Sequence, residues 1–111
     1  MEINELSEGK ATVLALAGRL DSNTCGELES RLLGTIDAGA GAVVVDFADL
    51  AYVSSAGLRV LLMAAKRLRA TSGKLALCGL NDNIREVFSM SGFDKILTIT
   101  GSRAEAVDAV G

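Results

Sequence analysis

Ser54 and Ser55 are adjacent serines whose position in the sequence could support chemistry. They follow a run of β-branched residues and precede leucines at helical spacing, so they lie where a helix needs a cap. The start of a helix presents unpaired backbone N–H groups and a partial positive charge. A phosphoryl group on Ser55 would face these donors, and it would change the surface without unfolding the chain. The residues alone leave two interpretations open, capping alone and phosphorylation.

The rest of the sequence offers few groups for catalysis. It contains no histidine, which removes every Ser-His-Asp and Cys-His arrangement and the commonest general base. Val53 stands where a Gly-x-Ser-x-Gly nucleophile elbow around Ser55 needs its first glycine. Residues 38–41, Ala-Gly-Ala-Gly, lie between a predicted helix and a predicted strand, the wrong order for a phosphate-binding turn. We predict a binding protein that is not an enzyme, with no catalytic residue and no cofactor. A small nucleotide-binding or hydrolytic protein is the least favoured alternative.

Metal-ligating patterns are also weak. Cys25 and Cys78 are far apart and have no neighbouring His or Cys, so we predict two reduced, mostly buried thiols and no metal site. Asp21, Asp46 and Asp49 could approach one another near strand ends and hold Mg²⁺. Helix capping and turn formation are roughly three times more favoured for these carboxylates.

The bulk composition indicates one domain spanning residues 1–111. Half of the residues are hydrophobic but only 4% are aromatic, so the core must consist of Val, Leu, Ile and Ala. The net charge of -3 gives no attraction to nucleic acid or anionic membranes, and we predict no direct nucleic-acid binding. The first residues lack the features of a signal peptide, and no apolar run approaches the ~18 residues of a membrane span. We therefore expect a cytoplasmic protein without a transmembrane segment.

Hydrophobic periodicity predicts the elements of the amino-terminal half. Residues 11–17 form a short apolar strand, and residues 3–6 are an expected edge strand joined to it by a hairpin. Several capping residues at 21–24 precede a helix that ends near residues 38–39. Residues 42–47 are the clearest strand, with a central place in the sheet, and a turn-like segment is expected at 48–53.

The carboxyl-terminal half continues the alternation of helices and strands. Leucines from Leu58 to Leu68 mark a helix, residues 74–78 a strand, and residues 84–90 a third helix. A last strand is expected at 95–99, and Ser102 with Glu105 resembles a capping box that opens a terminal helix. Together these elements predict an α/β domain with a mixed sheet of four to five strands and about four helices. Functional groups in such sheets gather at the carboxyl ends of the central strands.

A family resemblance rests on residues 45–50, Val-Asp-Phe-Ala-Asp-Leu, followed by residues 52–58, Tyr-Val-Ser-Ser-Ala-Gly-Leu. This pattern resembles the signature of STAS-domain anti-sigma-factor antagonists. Residues 18–21, Gly-Arg-Leu-Asp, resemble the family's segment before its first helix. Residues 88–96, Phe-Ser-Met-Ser-Gly-Phe-Asp-Lys-Ile, resemble its late helix-to-strand turn. The resemblance covers nearly the whole chain and implies a single STAS-like domain.

The resemblance also implies a function. In that family the serine that matches Ser55 is phosphorylated by a partner anti-sigma factor that acts as a serine kinase. The unphosphorylated form binds the anti-sigma factor and frees a sigma factor, and a serine phosphatase restores it after modification. The expected partner-binding residues are Asp21, Tyr52, Val53, Ser54, Ser55, Ala56, Gly57 and Arg59.

The sequence departs from the family pattern at two positions. Ser54 stands where the family has aspartate, which makes Ser54 an alternative phosphorylation site, and Ala56 replaces a serine or threonine. An alternative function is therefore a partner-binding STAS subunit of a lipid-transport or stressosome-like complex that works without phosphorylation. Tyr52, Met90 and Phe93 belong either to the core or to the contact surface, and the oligomeric state is left open.

Overall fold

Strands and helices alternate along the chain in the computed structural model, which describes residues 1–111. The strands are β1 (Glu2–Glu8), β2 (Ala11–Leu20), β3 (Ala42–Val53), β4 (Lys74–Cys78) and β5 (Thr98–Thr100). The helices are α1 (Cys25–Asp37), α2 (Ser55–Ala70), α3 (Asp82–Ser91) and α4 (Arg103–Val110), with a 3₁₀ turn at Phe93–Lys95. The predicted α/β class is confirmed. None of the helices is both long and apolar enough to cross a membrane.

The sheet has the order β1-β2-β3-β4-β5, so β3 is central as predicted. β1 and β2 are antiparallel, and Gly9, with a φ of 60°, lies in the hairpin that joins them. All other neighbouring strands are parallel and are connected through helices. Parallel pairing brings the carboxyl ends of β2 and β3 to the same edge of the sheet.

The central strand is buried on both of its faces, which explains its run of β-branched residues. On one face Val43, Val45 and Phe47 join a large apolar core with α1, α2 and α3. On the other face α4 packs through Ala106 and Val110 against a smaller set. That set consists of Ala11, Val13, Ala42, Val44, Ala76 and Cys78. The sheet therefore separates two cores of unequal size.

The segment 48–53, for which a turn was expected, is a continuation of β3, and that prediction is wrong. β2 also extends to Leu20, and the two strands stay paired up to Leu20 and Val53. Their register shifts twice, between Ala15 and Ala17 and between Gly18 and Arg19. Such irregularities let pairing continue while they change which side chains face outward. The end of β3 thus extends as an arm beyond β4.

The last strand also differs from its prediction at 95–99. The chain reverses at Gly92, whose φ of 78° is left-handed, and forms the 3₁₀ turn before the strand begins at Thr98. The Leu97 N–H donates to the Phe93 carbonyl at 2.8 Å, which keeps this segment out of the sheet. The predicted cap of the terminal helix is confirmed, because the Ser102 hydroxyl accepts a hydrogen bond from the Glu105 N–H at 3.2 Å. The Glu105 carboxylate accepts from the same hydroxyl at 3.1 Å, so only one half of a capping box is formed.

Candidate functional site

Ser54 is the N-cap of α2. Its backbone is extended, with φ of -98° and ψ of 170°, and its hydroxyl accepts a hydrogen bond from the Gly57 N–H at 3.3 Å. Its carbonyl accepts from the Leu58 N–H at 3.0 Å and starts the helical ladder. Extended backbone and a short hydroxyl side chain are the usual properties of an N-cap. The Ser54 hydroxyl is therefore used to begin the helix.

Ser55 is the first helical residue, and its side chain is exposed. The first turn of α2 contains no acidic residue, so its free N–H groups and partial positive charge are not neutralised by a carboxylate on the helix. Ala56, the next residue, is half-buried. The two serines thus differ in role, because one caps the helix and the other presents a hydroxyl to solvent.

The turn between β2 and α1 brings Asp21 next to the serine segment. The Ser54 N–H donates to the Leu20 carbonyl at 2.9 Å, which continues the pairing of β2 with β3. The half-buried Asp21 carboxylate accepts a hydrogen bond from the Asn23 N–H at 3.0 Å. The Thr24 hydroxyl accepts from the Asp21 N–H at 2.9 Å and so fixes the turn. The structure therefore brings Asp21 to the edge of the sheet where the serines lie.

Tyr52 lies on the outer surface of the β3 arm. Its side chain is 41% exposed, and the guanidinium carbon of Arg19 lies 4.3 Å from the ring centroid. Arg19 pairs with Tyr52 in the β2–β3 register, and its Nε is 3.9 Å from an Asp21 carboxylate oxygen. Tyr52 is thus a surface residue and not part of the core. Sequence reasoning did not assign Arg19 a role, although its place next to Asp21 was visible in the resemblance.

Val53 and Gly57 are buried beneath the exposed residues of the site. Val53 is only 2% exposed. A Cβ added to Gly57 would lie 2.7 Å from Leu20 Cγ and 3.1 Å from Val53 Cγ2. Both residues therefore pack against Leu20 or beneath the exposed residues, and their predicted contact with a partner stays a prediction. Leu58 is also buried, whereas Arg59 is exposed.

A shallow apolar groove runs from the β3 arm to α3. Its volume is about 180 Å³, and its lining includes Ala51, Tyr52, Val53, Asn83, Ile84 and Val87. The Asn81 side-chain amide donates to the Leu50 carbonyl at 3.3 Å and so attaches the start of α3 to β3. Met90, one helical turn beyond Val87, is 82% exposed, whereas Phe93 is half-buried. Residues near the serines and residues of α3 therefore share one surface.

Asp46 forms a separate polar cluster on the α4 side of the sheet. It is 6% exposed, and its carboxylate accepts hydrogen bonds from Arg103 Nε and from the Ala48 N–H, each at 2.9 Å. The hydrogen bond between Arg103 and Asp46 raises the pKa of Arg103. Burial, together with the charge of Asp46, raises the pKa of the Cys78 thiol to about 12. The Asp46 carboxylate thus holds α4 on the sheet.

The two cysteines lie against different cores of the sheet, and Cys78 lies beside the Asp46 carboxylate. Cys25 is half-buried and Cys78 is buried, and both are free thiols. No group of three or more Cys, Asp or Glu side chains is arranged to hold a metal ion. Asp21 has the turn-forming role that the sequence favoured. Asp46 instead lies inside β3 and accepts hydrogen bonds from Arg103 and from the Ala48 N–H, and Asp49 is an exposed residue of β3.

The chain is similar to known proteins over most of its length. Residues 3–99 match the family model described as Mlab, STAS domain. BtrV of Bordetella bronchiseptica, named as an anti-sigma factor antagonist, is 43% identical over 97 residues, which cover 87% of this chain and 84% of BtrV.

Two solved structures show the same fold at low sequence identity. The crystal structure of the anti-sigma factor antagonist TM1081 from Thermotoga maritima has a TM-score of 0.92 and 18% identity, over 97% of this chain and 93% of that chain. The Bacillus protein SpoIIAA in its phosphorylated form has a TM-score of 0.76 and 23% identity, over 99% of this chain and 100% of that chain. With the family match over most of its length and its identity to BtrV, this chain belongs to the STAS-domain anti-sigma-factor antagonist family.

Proposed function

We propose that this protein is an anti-sigma-factor antagonist whose binding to an anti-sigma factor is controlled by phosphorylation of Ser55. In this function the anti-sigma factor is also the serine kinase, and a serine phosphatase returns the protein to its binding form. The observation that carries the proposal is the exposed Ser55 side chain at the first position of α2. The 43% identity to BtrV, which is named for the same role, supports it.

The different roles of the two serines favour Ser55 as the phosphorylation site. A kinase needs a hydroxyl that reaches its active site, and the Ser55 side chain is exposed. The Ser54 hydroxyl accepts a hydrogen bond from the Gly57 N–H, so a phosphate there would disturb the cap. A phosphate on Ser55 would instead lie beside the free N–H groups of the first turn, where negative charge is stabilised.

Phosphorylation would act by changing the charge of the contact surface. We propose that the exposed and half-buried residues form this surface, namely Asp21, Tyr52, Ser54, Ser55, Ala56 and Arg59. A phosphate adds about -1.5 to -2 charges, which an interface must either pair or desolvate. Asp21 would add like-charge repulsion on the same side. A penalty of ~1.4 kcal/mol weakens binding about tenfold, so a modest mismatch is enough to release the partner.

The proposed protein is a regulatory subunit that acts through binding and has no catalysis of its own. It would work in the cytoplasm as a single domain, with the kinase supplying the phosphoryl transfer and without direct contact to nucleic acid. SpoIIAA, a structural neighbour with the same fold, has been solved in a phosphorylated form. The absence of histidine agrees with a passive substrate of the kinase.

Phosphorylation by the cognate anti-sigma factor tests the proposal. The purified chain is incubated with that protein and ATP, and phosphopeptides are located by mass spectrometry, with Ser55→Ala and Ser54→Ala chains as controls. We expect phosphate on Ser55 in the unsubstituted chain and in Ser54→Ala, and none in Ser55→Ala. Label on Ser54 alone, or no label, would overturn the assignment.

A second candidate function is a STAS subunit of a lipid-transport or stressosome-like complex that binds its partner without phosphorylation. The observation that favours it is Ser54, which occupies the place of the aspartate expected from the resemblance. Affinity purification from the source cell separates the two functions. Recovery of transporter subunits without a kinase would favour the second function, and recovery of an anti-sigma kinase would favour the first.

A further inference from the structure

We infer that phosphorylation of Ser55 creates an ion pair with Arg59 inside α2, and that this pair withdraws Arg59 from the partner-binding surface. The inference rests on the proposed function and identifies what the phosphate contacts within the chain. Both side chains are exposed on the same helix, and Arg59 follows Ser55 by four residues. Side chains at this spacing are neighbours, with about 5–6 Å between their Cβ atoms.

Arg59 is available for a new partner. The salt bridges of the chain involve Arg19, Arg31, Arg67 and Arg103, and none includes Arg59. Arg67, for comparison, is paired with Asp37 at 3.0 Å. A free guanidinium beside a hydroxyl has little to gain, but a guanidinium beside a phosphate gains a charge-assisted, bidentate interaction.

The direction of the pair along the helix is the favourable one. An anion on the amino-terminal side and a cation four residues later agree with the helix dipole, and this order is stronger than the reverse. The phosphate would hold Arg59 from one side and the free N–H groups of the first turn from the other. The phosphorylated helix end is thus expected to be more ordered than the unmodified one.

Other charged residues near the amino end of α2 do not provide an equal partner. Arg19 lies 3.9 Å from the Asp21 carboxylate and 4.3 Å over the Tyr52 ring, so it is already engaged. Asp21 is negative and would repel the phosphate. Arg59 is therefore the cation whose environment changes most on phosphorylation.

Capture of Arg59 gives phosphorylation a second effect on binding. Before modification Arg59 is free to contact an acidic group of the anti-sigma factor. After modification the guanidinium is held by the phosphate on its own helix. The partner then meets added negative charge and also competes with the phosphate for Arg59, so one modification weakens two favourable features.

The second pKa of the phosphate measures the ion pair directly. Phosphoserine is incorporated at position 55 during synthesis of the chain, and ³¹P NMR follows the phosphate as pH is varied through ~6. A nearby cation favours the dianion and lowers this pKa. We expect Arg59→Gln to raise it by about 0.3, the size of an i, i+4 ion pair, and Arg59→Lys to restore most of the difference.

Lys66→Gln is the matched control. Eleven residues beyond Ser55, Lys66 lies on the same side of α2 but about 16 Å along the axis, beyond the screening length of about 8–10 Å. We expect its removal to leave the pKa within about 0.1 of the unsubstituted value. An unchanged pKa in Arg59→Gln, or equal changes in both variants, would overturn the inference. No kinase is needed, so failure of the kinase to label Ser55 would contradict the proposed function alone.

Discussion

The Ser54 hydroxyl accepts a hydrogen bond at 3.3 Å from the N–H of Gly57, three residues further along the chain. This bond gives the two adjacent serines different roles. Ser54 is held by the helix that it caps, whereas Ser55 is exposed. The replacement of an expected aspartate by Ser54 therefore keeps the capping function while it removes a negative charge next to the proposed phosphorylation site.

Loss of the cap should lower stability without removing phosphorylation. We predict that Ser54→Ala lowers the free energy of unfolding by about 1 kcal/mol, because an N–H of the first turn loses its acceptor. Ser54→Asp should retain most of the stability, since aspartate is also a good N-cap. Ser55→Ala should stay within about 0.5 kcal/mol of the unsubstituted chain, because its side chain is exposed. Urea denaturation of the three variants measures these differences, and equal stability of Ser54→Ala and the unsubstituted chain would contradict the capping role.

Gly57 allows the close approach of α2 to β2, and a side chain there should be costly. A Cβ would lie 2.7 Å from Cγ and 2.9 Å from Cδ2 of Leu20. We predict that Gly57→Ala lowers the free energy of unfolding by about 1–3 kcal/mol through overpacking. The Leu20 carbonyl accepts a hydrogen bond from the Ser54 N–H, so a displacement of Leu20 should also shift the serine segment. Gly57→Ala should therefore slow phosphorylation of Ser55.

Gly34→Ala is the control for this substitution. Gly34 lies inside α1, and a Cβ there would meet nothing within 4 Å. Replacement of a helical glycine by alanine should raise the free energy of unfolding by about 0.5–1 kcal/mol. Thermal denaturation should therefore show a lower melting temperature for Gly57→Ala and a higher one for Gly34→Ala. Melting temperatures that change in the same direction would count against the packing role of Gly57.

Tyr52 is predicted to be a principal contact for the anti-sigma factor. Exposed aromatic side chains that become buried are common among the residues that dominate binding. We expect Tyr52→Ala to weaken the Kd at least about tenfold, which is ~1.4 kcal/mol. Leu6→Ala is a matched control, because Leu6 is 40% exposed and Tyr52 41%, and Leu6 lies on the edge strand β1. Surface plasmon resonance with both variants would refute the assignment if they weakened binding equally.

The two thiols should differ strongly in reactivity. Burial raises the pKa of Cys78 to about 12, so little thiolate forms at neutral pH and reagents also lack access. We predict that iodoacetamide at pH 8 modifies Cys25 in the folded chain while Cys78 stays unmodified, and that both react in denaturant. Mass spectrometry of the peptides reads the result, and rapid labelling of folded Cys78 would contradict its burial.

The same pKa predicts a loss of stability at high pH. Because the folded chain favours the neutral thiol, this contribution is full below pH 9.0 and declines as pH rises toward about 12. A Cys78→Ala chain lacks this contribution, so its free energy of unfolding should fall less steeply over that range. Equal slopes for the two chains in urea denaturation at increasing pH would contradict the raised pKa.

Most of the fold follows from local sequence patterns. Three apolar runs predicted β2, β3 and β4, and leucine spacing predicted α1 and α2, because these signals lie within each segment. The β3 arm could not be predicted in this way. Residues 48–51, Ala-Asp-Leu-Ala, lack a strand composition and form a strand because β2 extends beside them. Tertiary pairing can thus override a weak local preference.

The site was only partly visible for a similar reason. Both serines are good caps, so the sequence alone could not assign the cap to Ser54 and exposure to Ser55. The register shifts between β2 and β3 place Tyr52 under Arg19 at the surface. The groove shared with Val87 depends on contacts between β3 and α3, which no spacing along the chain reveals.

The affinity of the anti-sigma factor for defined phosphorylated forms tests the control of binding by Ser55 most directly. Isothermal titration calorimetry would compare the unmodified chain with chains that carry phosphoserine at position 55 or at position 72. Ser72 is exposed and lies just beyond the opposite end of α2. We predict that phosphoserine at 55 raises the Kd at least about tenfold while phosphoserine at 72 leaves it nearly unchanged. Equal Kd values for the unmodified chain and the chain with phosphoserine at 55 would contradict the switch.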